Sequence, residues 1–245
     1  MSNIKDFLSQ LDAINTDDSI DILVPSLNKK VKFKSLSVKQ HKEVIKTILE
    51  GIEGGVRSSG VLNNFVVDNC ITEGIDFKLY DRNYILVQLR KNSIGENVTI
   101  NKQSYNLTAL PEFKFDYPVS GEVFHKNLTV KLSIPSLSED TMLNDKSLFE
   151  FSKLTTEDKK LKDSVNILLA FEIIKFVDEI TIDADTIIFK DLTIHERKTV
   201  VENLPLKLNL KIVDFISKYK EYEQRFFTFD DGSKLAIDAS FLTSE

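Results

Sequence analysis

The stretch LRKNSIGEN, Leu89 to Asn97, holds the densest set of side chains that could do chemistry in this chain. Arg90 could hold an anion in its planar fork of donors. Glu96 could act as a general base if a reacting proton sat within hydrogen-bond reach. The same atoms also have a structural use. Gly95 supplies a positive φ where a helix gives way to a strand, and Arg90, in the last helical turn, faces the negative end of the helix dipole and can reach a carboxylate. Acid–base catalysis needs a second, differently placed element. None accompanies this stretch, so the residues favour a structural turn made of Arg90, Ser93, Gly95 and Glu96.

The other candidates are weaker. Paired acids at Asp17-Asp18, Glu139-Asp140, Asp183/Asp185 and Asp230-Asp231 read as solvated turn residues. DADTIIFKD lacks the glycine and distal glutamate of a calcium loop. The glycine-rich GIEGGVRSSG (51–60) follows a helix instead of a strand and has no Lys-Ser/Thr pair, so it reads as a mobile helix–helix connector. His41, His125 and His195 are far apart and show no metal-ligand spacing. Cys70 is the only cysteine, which excludes an intrachain disulfide and a cysteine zinc site. It falls on an apolar helix face and reads as a buried, inert thiol. No catalytic, cofactor-binding or metal-ligating residue is assigned, and an enzyme is not expected.

The chain has 245 residues, with 38 acidic and 32 basic side chains interspersed to a net charge of −6. That length builds one large domain or two small ones. A mildly acidic mixed surface disfavours nucleic acid. The longest apolar patch, NILLAFEIIKFV (166–177), is short and charged, so no membrane span is expected. Lone-cysteine usage and a polar start fit a reducing cytoplasm without a signal peptide. The sequons at Asn97, Asn106 and Asn127 are then chance matches.

The elements that would carry these residues follow from periodicity. Ile4, Phe7, Leu8, Leu11 and Ile14 make an amphipathic helix over 4–14. Residues 19–33 alternate as a hairpin with Ile20, Ile22, Val24, Val31 and Phe33 inward. Ser37 and Gln40 form a capping box, starting a helix at Val38 with Val44, Ile45, Ile48, Leu49 and Ile52 as its stripe and Gly51, Gly54 and Gly55 as its stop. A helix over 60–73 follows, then one from near Asp81 to Asn92–Gly95, and a strand at Asn97–Ile100 that turns near Asn101. Strands are expected over 112–134, where Phe113, Phe115 and Tyr117 alternate. Ser138 should cap a helix over 139–153. Next come a long helix near 156–177, a tight strand pair over 179–189, a capping box at Thr193–Glu196, and a helix over 206–223 after Pro205. RFFTFDDGSKLAID closes the chain as a hairpin around Asp231-Gly232. The expected fold class is α+β: an N-terminal hairpin plus helices with a small antiparallel sheet, then a mainly helical C-terminal half with short hairpins. The expected domains are 1–134 and 135–245, divided at Pro135. No internal repeat is visible.

ILVPSLNKKVKFKSLSVKQHKEVI (22–45) followed by ITEGIDFKLYDRNYILVQLRKNSIGENVTI (71–100) resembles the baseplate hub assembly proteins of T-even-like contractile-tailed bacteriophages. The matching positions are Pro25, Lys30, Val31, Lys32, Phe33, Leu36, Val38, Lys39, Asp81, Tyr84, Ile85, Leu89, Arg90, Ser93, Gly95 and Glu96, within residues 20–105. The resemblance implies a non-enzymatic tail morphogenesis protein in the host cytoplasm. It would be an assembly chaperone for the central hub or, alternatively, a structural subunit retained in the virion baseplate. Its partners would be other phage tail or hub proteins, with no cofactor, nucleic acid or membrane. Partner contact would fall on the N-terminal helix (Phe7, Leu8, Leu11) and the terminal RFFTF strand (Phe226, Phe227, Phe229), unless these segments finish the chain's own core.

Overall fold

The computed structural model describes residues 4, 6, 10, 11, 13, 14, 18–50, 52–154 and 162–243; the side chains of 52–56 and 162–166 also lie outside the description. Within that range the fold is α+β, with two compact units. One comprises 1–114 and 226–245, the other 115–225. The break at Pro135 therefore lies inside the second unit, between a strand and the helix that follows it.

The first unit starts with the hairpin β1 (Ile20–Val24) and β2 (Lys29–Phe33), antiparallel with Ile22 opposite Val31. Period-two alternation buries Ile22, Val24, Val31 and Phe33 and leaves the lysines outside. Helix α1 (Val38–Leu49) opens on the Ser37/Gln40 capping box. Its expected stripe is only partly used. Val44 and Thr47 are buried, whereas Ile45, Ile48 and Leu49 are exposed. Helix α2 (Ile52–Asn69) runs through Gly54 and Gly55, so the expected glycine-rich connector is helical. Each glycine costs a helix roughly 1 kcal/mol; burial of Val61, Leu62, Phe65 and Val66 farther along offsets it. The helix ends at Asn69, before the expected 73. Cys70 accordingly lies past its end, bridged to Phe33 and half-buried instead of sunk in a helix face.

Helix α3 (Leu79–Ser93) begins two residues before Asp81. Asp81 caps it from the third helical position: its carboxylate accepts the Lys78 N–H at 2.8 Å and the Ser26 N–H at 2.9 Å. One buried carboxylate thus holds both the hairpin turn and the helix start. Strands β3 (Asn97–Ile100) and β4 (Gln103–Asn106) pair antiparallel around Asn101 and Lys102, both at positive φ. A 3-10 turn follows at Leu107–Ala109. The end of the chain returns to this unit. The Phe229 ring lies 4.6 Å from that of Tyr105, whose hydroxyl donates to Asp231. The Asp231-Gly232 turn forms, with Gly232 at φ 85°. Its flanks keep only the single bridge Thr228–Lys234, and Arg225–Phe227 is a 3-10 turn, so the expected RFFTF strand is absent.

The second unit is built on one antiparallel sheet in the order β5 (Ser120–His125), β6 (Leu128–Ser133), β7 (Val177–Ile182), β8 (Asp185–Ile188). The two expected hairpins thus join along β6–β7, with Val130 opposite Ile180. Helix α4 (Leu137–Ser152) is capped by Ser136, not Ser138: the Ser136 hydroxyl accepts the Glu139 N–H. Helix α5 (Lys162–Ile174) stops before Phe176 because residues 177–182 are claimed by the sheet; the start of the long helix expected near 156 lies outside the described residues. Helix α6 (Ile194–Glu202) opens on the Thr193/Glu196 box, and α7 (Leu206–Gln224) follows Pro205. Gly121 lets α7 approach β5, since a Cβ there would meet the Phe215 ring at 2.9 Å.

Residues 111–117 form no strand. Their aromatic rings stack instead: Phe113 on Tyr84 and Phe226 in the first unit, Phe115 and Tyr117 against Tyr219 and Tyr222 in the second. The alternation was real but served ring packing, not a hydrogen-bonded ladder. Both units repeat an order of elements that residue identities hide. Each holds a hairpin followed by a serine-capped helix, and each later runs helix, tight hairpin, 3-10 turn.

Candidate functional site

The turn at the end of α3 forms because the helix runs out of partners at Ser93. The Arg90 carbonyl accepts both the Ile94 and the Gly95 N–H groups, and Gly95 sits at φ 141°, open to glycine alone without strain. The Ser93 hydroxyl accepts the Leu36 N–H at 2.8 Å, tying the turn to the residue just before the α1 cap. The Glu96 carbonyl accepts the Leu107 N–H at 2.7 Å, while its side chain faces solvent. These four positions therefore converge through the backbone and one hydroxyl.

Arg90 is 5% exposed. Its Nη1 donates to the Phe241 carbonyl at 2.8 Å and to the Thr243 carbonyl at 2.9 Å; its Nη2 donates to the Asn97 carbonyl at 2.8 Å. The guanidinium also lies over the Phe241 ring, 5.2 Å from its centroid. These partners, among the described residues, are backbone carbonyls. The adjoining hollow is lined by Thr99, Asn101, Lys234, Ser240 and apolar neighbours, with no Asp or Glu among the described residues lining it. That lining could bind a polar group, but it offers no pair of acids for proton transfer.

The remaining candidates stay apart. His41 edges a small hollow beside α1, His125 lies on β5 and His195 in the first turn of α6. Among the described residues no group of three His, Cys, Asp or Glu side chains is placed to hold a metal ion. Burial pushes the Cys70 thiol above its ordinary pKa, the reverse of an activated nucleophile. No helix of the described residues is long and apolar enough to cross a membrane.

With that geometry in place, a family model described as T4 bacteriophage base plate protein matches residues 18–225. This chain belongs to that family. The base plate match runs from the first hairpin to the end of α7, so it includes the second unit, where the sequence showed no motif. No curated protein and no solved structure matches the chain.

Surfaces that this base plate protein could offer a partner differ in exposure. Leu11 is helical and exposed; Phe7 and Leu8 lie outside the described residues. Phe227 and Phe229 are buried, against Phe113 and Tyr105 respectively, and Phe226 is half-buried. Sequence reasoning missed a cluster in the second unit. Lys175, at the end of α5, donates to Asp140 at 2.7 Å and Asn144 at 2.8 Å and pairs with Glu172 at 3.3 Å. Burial alone would lower its pKa; Glu172 and Asp140 outweigh that and hold it above the ordinary value. Only the Glu172–Lys175 spacing, three residues apart, hinted at it.

Proposed function

We propose that this base plate family protein is a non-enzymatic tail morphogenesis factor, a chaperone for assembly of the baseplate central hub. It acts by binding other tail or hub proteins in the host cytoplasm and uses no cofactor. The observation that carries the reading is membership of the base plate family over residues 18–225. The commitment of Arg90 to three backbone carbonyls supports it, because the most reactive-looking stretch is spent on holding the chain together. In this reading Arg90, Ser93, Gly95 and Glu96 form a structural brace. Partner contact falls on the N-terminal segment (Phe7, Leu8, Leu11), of which Leu11 is exposed, with half-buried Phe226 at the edge of the terminal segment.

Co-expression with the neighbouring tail gene products tests this. A stable complex with hub components is expected, weakened by Leu11→Asp; recovery of the chain alone would sink the reading. Mass spectrometry of purified particles then separates the two roles. Absence of the chain fits a chaperone, and stoichiometric presence makes it a retained structural subunit.

A further inference from the structure

The tight hairpin of the first unit has a counterpart in the second. NVTINKQSYNLTAL (97–110) aligns without a gap on EITIDADTIIFKDL (179–192). Val98 and Ile180 are buried alike, as are Leu107 and Phe189. Asn101 and Asp183 open the two turns at φ 52° and 54°. Each alignment ends on a leucine whose N–H closes the 3-10 turn, Leu110 onto the Leu107 carbonyl and Leu192 onto that of Phe189.

The two hairpins differ at one edge. Strand β7 has β8 on one side and β6 on the other, with Thr181 opposite Thr129. Strand β3 pairs with β4 alone. Around a two-residue turn the flanking pair exchanges backbone bonds and the next pair does not. Thr99, opposite Ser104, belongs to that next pair, so its N–H and C=O point away from β4. Thr181 holds the same place opposite Thr186, their hydroxyls 2.9 Å apart, and turns its outward groups to β6. Among the described residues no group bonds those of Thr99.

A hollow of about 340 Å³ runs along that edge. Residues 98–101 form one wall, and Lys234, Leu235, Ala236 and Phe241 are part of the other. Arg90 takes the Asn97 end, where it donates to the carbonyl. The lining therefore carries two cations, and no acid among the described residues.

We propose that this slot takes a short extended segment of another protein, which adds to β3 as an antiparallel strand in the position that β6 holds on β7. Thr99 supplies the main-chain donor and acceptor, and the apolar walls receive the segment's apolar side chains. Lys234 selects an acidic residue in the segment. The inference rests on the partner-binding role proposed above and gives that role a second surface.

The probe is a synthetic peptide of residues 127–133 with Lys131→Glu, titrated into the full chain and followed by amide NMR. In the free chain the Thr99 amide should exchange fast and the Thr181 amide slowly. The peptide should shift residues 98–101 and 234–243 and slow exchange at Thr99 about tenfold. Thr99→Pro removes the outward N–H but spares the β3–β4 bonds. It should weaken peptide binding about tenfold and leave the unfolding midpoint unchanged. Thr181→Pro should lower that midpoint, because β6 uses its N–H. Lys234→Glu should weaken binding several-fold at low salt. A slow Thr99 amide in the free chain, or no peptide shifts along β3, overturns the slot, and a hub complex that tolerates Thr99→Pro then leaves the hub reading standing. A dimer lost in Thr99→Pro would make a second copy the occupant and also overturn the proposal. Peptide binding abolished by Thr99→Pro, with no hub complex on co-expression, keeps the slot and sinks the hub reading.

Discussion

Each unit hides one buried arginine beside a tight hairpin, and the two are satisfied differently. Arg90 in the first unit reaches carbonyls at Phe241 and Thr243, about 150 residues away in sequence, and at Asn97. Arg197 in the second donates to Lys190 and Leu192, within seven residues, and lies 3.6 Å from Glu139. Both guanidiniums lie over a phenylalanine, Phe241 and Phe189. The contrast separates two jobs for one chemistry. Arg197 finishes a local loop, since both carbonyls it bonds lie within seven residues of it. Arg90 fastens the chain's last residues to its middle, so the first unit depends on it for closure of the sequence and not only for a turn.

The largest effect should come from Arg90. Charged hydrogen bonds contribute about 1.5–3 kcal/mol each and are not additive, so Arg90→Met is expected to destabilise by about 4 kcal/mol in urea unfolding. Amide exchange over residues 239–243 should rise with it. Arg90→Lys should recover less than half, because a compact ammonium lacks the planar fork with which the guanidinium reaches three carbonyls. If exchange at the chain end stays slow in Arg90→Met, the clip is not what holds it. Second in size is Lys175→Met, which takes the 2.7 Å ammonium partner from the buried Asp140 carboxylate; loss of one partner of a buried pair should cost about 3 kcal/mol. Restoring an uncharged pair with Asp140→Asn should return part of that, and a fully additive double variant would contradict the coupling. Third is Arg197→Met, expected to cost about 2 kcal/mol, since Glu139 retains Lys190 at 3.0 Å. Equal losses for Arg90→Met and Arg197→Met would erase the distinction between clip and local brace.

What the residues alone revealed follows the same division between local and distant. The Ser37/Gln40 and Thr193/Glu196 capping boxes were readable because every atom involved lies within four residues. The β1–β2 hairpin was readable because alternation and Pro25 act locally. The carbonyl partners of Arg90 were not, since no pattern near residue 90 announces residues 241 and 243. Nor was the joining of β6 to β7, which lie more than forty residues apart. Residues 111–117 misled for a related reason: period-two alternation records which way side chains point, not whether a neighbouring strand exists to accept the backbone. The glycines at 54 and 55 stayed helical because a long helix can tolerate a weak first turn when its later face is buried.

The smallest effect is also the one that sets the two units against each other most directly. In the first unit, burial raises the Asp81 pKa above 3.8 despite the Ser26 and Lys78 N–H bonds that pull it down. A carboxyl with a raised folded pKa penalises folding when ionised, so acidification through that pKa strengthens its contribution. In the second unit, burial pushes Glu172 up, but Lys175 and Lys220 outweigh it and hold its pKa below 4.5. Its contribution is present above pH 4.5 and is lost as the pH falls through the lowered value. Stability measured against Asp81→Asn should therefore rise for the unsubstituted chain as the pH drops from 7 toward 4. Measured against Glu172→Gln it should fall below pH 4.5. Slopes of the same sign would mean that one of the two carboxyls is governed by something other than its own surroundings. Asp81 would be the first to re-examine, because there two backbone hydrogen bonds oppose burial.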